Sequence, residues 1–188
     1  MANRNTQGFG LVPAGTLGST PATSGQGKYK IDAGSTTTLY HGGAVASASG
    51  YIVDGQTTDA PILGVLNGIF YNDATTLKPT FANFYKQPIT PANSEDIDAF
   101  VFDNPQQQYV VATDATVAQA GFLETYDMNT SAGSDTTGQS SATLDIGDTS
   151  ADAASFRLLR VAEDPENEDI SAAFASVVVC INLIELQS

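Results

Sequence analysis

Ile62-Leu63-Gly64-Val65-Leu66-Asn67-Gly68-Ile69-Phe70-Tyr71 is an apolar run interrupted by Gly64 and Gly68, and it suits a long strand. Outward from it, short β-like runs alternate with turn clusters in both directions. Residues 28–31 alternate polar and apolar, and residues 50–53 end at the turn signal Asp54-Gly55. Residues 80–85, 99–102, 108–113, 142–146, 156–162 and 176–186 are likewise rich in β-branched and aromatic side chains. A spacing of roughly ten residues, with Gly, Pro, Asn and Asp between runs, predicts an all-β fold, a small jelly-roll-like barrel or sandwich. Helical signal is weak. Residues 118–128, with Asp114 or Thr116 as a cap, are the best segment, but Gly121 interrupts them.

A chain of 188 residues with 41% apolar content holds one ordinary domain. Its formal charge of −14 excludes partners held by phosphate contacts, so neither nucleic acid nor an anionic membrane is expected. Residues 1–10 are too polar for a signal peptide, and no run of about 20 apolar residues is present for a membrane helix. A soluble chain made in a cytoplasm is expected. Cys180 has no second cysteine to pair with, and inside Val177-Val178-Val179-Cys180-Ile181 it reads as a buried, inert thiol.

Charge is unevenly spread. Before Asp32 the only charged side chains are Arg4, Lys28 and Lys30, whereas between Lys86 and Arg157 there is no Lys or Arg at all. Residues 1–27 hold six glycines and little apolar periodicity, and read as an extended N-terminal arm ahead of a β-rich body, residues 28–188. Phe9, Leu11 and Val12 form an apolar cluster in that arm that needs a surface to cover it. Residues 129–154 are mostly Ser, Thr, Gly, Ala and Asp, and read as a flexible acidic surface loop with one short edge strand.

Catalytic chemistry is hard to assemble from this inventory. His41, in Tyr40-His41-Gly42-Gly43, has no Gly-x-Ser-x-Gly elbow to serve and reads as a turn residue. One His and one Cys do not make a zinc site. Asp145, Asp148 and Asp152 have the oxygen donors calcium prefers, but their spacing matches no EF-hand and a solvated acidic loop is the better reading. The run Glu163-Asp164-Pro165-Glu166-Asn167-Glu168-Asp169 reads as a turn between two strands. Without tryptophan to stack a sugar, a glycosidase carboxylate pair is disfavoured. No phosphate loop or dinucleotide fingerprint occurs. No catalytic residue, cofactor or metal is expected.

The opening Ala2-Asn3-Arg4-Asn5-Thr6-Gln7-Gly8-Phe9-Gly10-Leu11-Val12-Pro13 resembles the start of small head proteins of tailed phages, the decoration or cement proteins encoded beside the major capsid gene. Lys28-Tyr29-Lys30-Ile31, Pro61-Ile62-Leu63-Gly64-Val65-Leu66 and the acidic Pro165 turn before the last apolar strand agree with that family. The resemblance touches about a third of the residues, and the chain departs from the family in its longer arm and more acidic loop. It implies a non-enzymatic virion protein made in the host cytoplasm, bound as a homotrimer to the major capsid protein on the outer head surface, where it stabilises the lattice. On this reading the arm fastens the subunit through Arg4, Phe9, Leu11, Val12, Lys28 and Lys30. A rival is a carbohydrate- or receptor-binding module of a phage particle with Tyr71, Phe81, Phe84 and Tyr85 as its aromatic platform. A second rival is a calcium-dependent hydrolase using the acidic loop.

Overall fold

The computed structural model describes residues 3–18, 25–55, 61–87, 89–129, 133–147 and 154–187. Their strands are β1 (Val12–Thr16), β2 (Gly27–Ile31), β3 (Ala44–Ala48), β4 (Tyr51–Asp54), β5 (Gly64–Asn72), β6 (Pro79–Ala82), β7 (Ile97–Phe102), β8 (Gln107–Ala112), β9 (Thr125–Tyr126), β10 (Phe156–Val161) and β11 (Ser176–Ile181). The fold is all-β: two antiparallel sheets packed together, with short 3-10 turns at Ala92–Ser94, Gln119–Gly121 and Glu185–Gln187.

The first sheet has the order β1-β8-β11-β10-β9. Its inner face supplies Tyr109, Val111, Phe156, Leu158, Val177 and Val179 to one core cluster, which also takes Leu11, Ile62, Val65 and Leu144. In β8 the buried residues Gln107, Tyr109 and Val111 alternate with half-buried ones, the period-2 pattern of a strand covered on one side. Central β11 is buried along its whole length, which is why it reads as a continuous apolar run.

The second sheet has the order β2-β7-β5-β3-β4, with β6 added along β5. It curls until β2 and β4 run side by side, although no ladder pairs them. This nearly closed barrel encloses the other core cluster, with Ile31, Val45, Ile52, Leu66, Ile69, Ile97, Ala99 and Val101 inside. Strand β7 shows the division: Ile97, Ala99 and Val101 are buried, while Asp98, Phe100 and Phe102 alternate with them on the opposite side.

Residues 3–16 are not a free arm. Asn3 Nδ2 donates to the carbonyls of Asp169 and Ala173 at 3.0 and 2.9 Å, and its Oδ1 accepts from the Asp169 amide at 3.0 Å. The Asn5 amide donates to Asn167 Oδ1 at 2.7 Å, so the acidic turn between β10 and β11 is a clasp for the N-terminus. Gly10, at φ +75°, would place a Cβ 2.7 Å from the Gly42 carbonyl oxygen, so only glycine allows this close crossing. Leu11 then enters the core at 1% exposure and β1 adds to the edge of β8, with a bulge between Pro13 and Gly15. Proline is tolerated at such an edge. Residues 19–24 of the expected arm lie outside the described residues.

The acidic segment also departs from its expected surface role. Ala142 and Leu144 are fully buried, and Leu144 bridges both Thr113 and Met128. Its amide donates to the Ala112 carbonyl at 2.9 Å, while its carbonyl accepts from the Asp114 amide at 3.1 Å. Residues 142–146 therefore plug the first sheet, while residues 134–137 stay exposed. Residues 130–132 and 148–153, including Asp148 and Asp152, lie outside the described residues.

Candidate functional site

Strand register assembles one face that no sequence window contains. On β2, Lys28 and Lys30 point away from the barrel interior occupied by Ile31, and they lie opposite Phe100 and Asp98 of β7. Asp98 and Phe100 in turn lie opposite Phe70 and Gly68 of β5, and Phe70 opposite Phe81 of β6. One row across four strands thus reads Lys30, Asp98, Phe70, Phe81, and the next reads Lys28, Phe100, Gly68. A Cβ on Gly68 would lie 2.6 Å from Phe81 Cζ, so the missing side chain lets the Phe81 ring lie across the strand. There it meets Phe100 with ring centroids 6.1 Å apart and tilted by 37°. That distance is within the range of favourable aromatic pairs. Phe81 remains 61% exposed, and Leu77, on the β5–β6 connection, is 74% exposed.

Charge frames the rings. Asp98 holds Lys28 Nζ at 2.7 Å and Lys30 Nζ at 2.6 Å, while both lysine side chains stay more than half exposed. Burial pushes the Asp98 carboxyl up, but its bonds to the two ammonium groups outweigh this and hold it below the usual carboxylate range. The bond to Asp98 likewise raises Lys30. The face therefore sets two cations and one anion beside one exposed ring, Phe81, and two half-buried ones, Phe70 and Phe100, with Asp96 and Glu95 close enough to act on Lys30.

Of the residues expected to contact a partner, only Lys28 and Lys30 stand together. Arg4 is bound to Glu166 at 2.7 Å, Leu11 lies in the core and Phe9 is half-buried, so a partner could not engage these three as a free exposed cluster. Val12 is 44% exposed at the edge of the other sheet. The expected sugar platform also dissolves. Tyr85 is fully buried, its hydroxyl donating to the Ser35 carbonyl at 2.7 Å; Tyr71 packs against the barrel core and Phe84 stacks on Tyr40. Phe81 alone of that set faces outward with Phe100 beside it. Phe70 and Phe100 escaped the sequence reading because cross-strand register brings them to Phe81; the outward alternation of β7 was the available signal.

Elsewhere the chemistry is sparse. His41 Nδ1 donates to the Asn67 carbonyl at 2.8 Å next to a tight turn in which the Gly43 amide donates to the Tyr40 carbonyl. Cys180 is 7% exposed, and burial pushes its thiol up. Among the described residues no group of three or more His, Cys, Asp or Glu is placed to hold a metal, and no helix is long and apolar enough to cross a membrane. No protein-family model, curated protein or solved structure matches the chain.

Proposed function

We propose that this chain is a non-catalytic subunit of a virus particle, a decoration protein that binds the major capsid protein on the outer head surface as a homotrimer. The observation that carries a binding role is the outward face of the barrel, where the exposed Phe81 ring lies over half-buried Phe70 and Phe100 beside Lys28 and Lys30. Aromatic rings at the centre of a polar rim are the composition of interface hot spots, and a rigid sheet presents them without an ordering penalty. The virion assignment draws on the sequence resemblance. Attachment through the body rather than a free arm differs from what that resemblance implied, and it follows from the clasped state of residues 3–11. Repetition over a lattice turns a modest contact per subunit into durable stabilisation.

The test is sedimentation of purified chain with capsids stripped of it, alongside light scattering of the free protein. Saturable occupancy and a trimeric mass support the reading. Absence of binding at micromolar concentration overturns it. The second reading, a carbohydrate-binding module, draws on the exposed Phe81 ring beside polar groups, and a glycan array responding to wild type but not to Phe81→Ala would establish it instead.

A further inference from the structure

The side-by-side passage of β2 and β4, where no ladder closes the barrel, leaves a cavity of about 400 Å3. Tyr29, Tyr51, Ile52, Leu63, Glu185 and Leu186 line it. That volume is at the small end of the range for ligand sites, about 300–1,000 Å3, and suits a single side chain or small amine. Among the described residues Glu185 supplies the only charged side chain in the lining.

The donors of this wall are already committed. Tyr29 Oη donates to Asp103 Oδ2 at 2.7 Å, Tyr51 Oη to Asp96 Oδ2 at 3.1 Å, and the Ser47 amide to Glu185 Oε1 at 2.7 Å. Burial first, then the bond to Asp103 and the charges of Asp103 and Glu185, push Tyr29 up to about 12, so it stays neutral and keeps its proton. A ligand there meets two aromatic rings, the Glu185 carboxylate that already accepts from the Ser47 amide, and the field of the Asp96 and Asp103 carboxylates behind the hydroxyls. Lys28 and Lys30 lie on the other side of β2, bound to Asp98. An anion would meet repulsion, and a neutral polyol would find few donors. A cation finds tyrosine rings and a counter-charge, with Ile52, Leu63 and Leu186 available to an aliphatic stem.

We propose that the β2–β4 seam is a binding site for a basic side chain, lysine or arginine, presented by a partner polypeptide. The site is separate from the outward aromatic face and does not depend on a capsid partner.

The experiment is an NMR titration of the full chain with N-acetyl-lysine methylamide, its arginine counterpart and the uncharged norleucine analogue, read at the Ser47, Gly50 and Tyr51 amides. Saturable shifts with the two basic probes, weakened by salt and absent with norleucine, are expected. Glu185→Gln keeps an acceptor for the Ser47 amide and should weaken binding several-fold, and Tyr51→Leu should weaken it about two- to five-fold. Unmoved amides, equal binding of norleucine, or indifference to both substitutions would overturn the proposal. Methylammonium binding as tightly as the lysine probe would overturn the polypeptide source in favour of a free amine.

Discussion

Leu11 on the N-terminal strap is 1% exposed, and Phe81 on the β5–β6 hairpin is 61% exposed. Both lie in glycine-punctuated segments, and the glycines do opposite work. Gly10 lets the strap pass against the Gly42 carbonyl, so that Leu11 is drawn into the core. Gly68 leaves room on the outside of β5, so that the Phe81 ring lies on the surface and touches Phe100. The strap also has partners between β10 and β11 for the Asn3 and Arg4 side chains and for the Asn5 amide. The aromatic face has the charges of Lys28, Lys30 and Asp98 at its side, and its Phe81 ring stays exposed. The difference separates a segment that holds the fold from a surface able to hold a partner.

The largest expected effect comes from deleting residues 134–145. That segment carries fully buried Ala142 and Leu144 and the bridges to Thr113 and Met128, so the truncated chain should fail to give soluble folded protein. A melting temperature equal to wild type would return the segment to the surface. Next is Leu11→Ala, which should lower unfolding free energy by about 2–5 kcal/mol in denaturant titration, whereas Phe81→Ala should change it by less than about 1 kcal/mol. Equal losses at the two positions would erase the contrast between strap and face.

A smaller effect is expected at the clasp. Asn167, 7% exposed, accepts the Asn5 amide and donates to Asp164 Oδ2 at 2.8 Å, so Asn167→Ala removes both bonds from half-buried partners and should lose about 1–3 kcal/mol. Arg4→Ala breaks an exposed pair and should lose less than about 1 kcal/mol.

The smallest effect is a pH dependence of the face. Because the folded Asp98 carboxyl is held below its unfolded value of about 3.9, its contribution is present above that pH and is lost as pH falls through the folded value. Lys30 is raised, so its contribution is complete below its unfolded value of about 10.4 and fades as pH rises through the folded one. Asp98→Asn should therefore lower stability at neutral pH by no more than about 1 kcal/mol, with the gap to wild type closing below about pH 4. A gap that widens on acidification would reverse the sign of this pairing.

Local periodicity made much of the fold legible. Residues 28–31, 62–71, 99–102, 108–113 and 156–162 read as strands because their side chains alternate or are apolar throughout, and β2, β5, β7, β8 and β10 stand there. Three strands were missed. In β3 the sequence Ala44-Val45-Ala46-Ser47-Ala48 has little intrinsic β preference and is held by pairing with β4 and β5. Pro13 and Gly15 obscured β1, an edge strand with a bulge. β9 is two residues long and follows a 3-10 turn inside the segment with weak helical signal. Residues 142–146, read as an edge strand, make only isolated bridges. The candidate site was less legible, because Lys28 and Lys30 meet Asp98, Phe100, Phe70 and Phe81 through register across four strands.

The central claim, that the strap holds the fold and the aromatic face holds the partner, is tested most directly by equilibrium occupancy of stripped capsids by three proteins at equal concentration. These are wild type, Phe81→Ala/Phe100→Ala, and Arg4→Ala, each first shown to be folded. The account predicts that the double substitution weakens binding by at least about tenfold, the loss of a hot-spot contact worth on the order of 2 kcal/mol, while Arg4→Ala fills the lattice as wild type does. Full occupancy by the double variant together with loss of binding by Arg4→Ala would contradict it and restore the N-terminal segment as the grip.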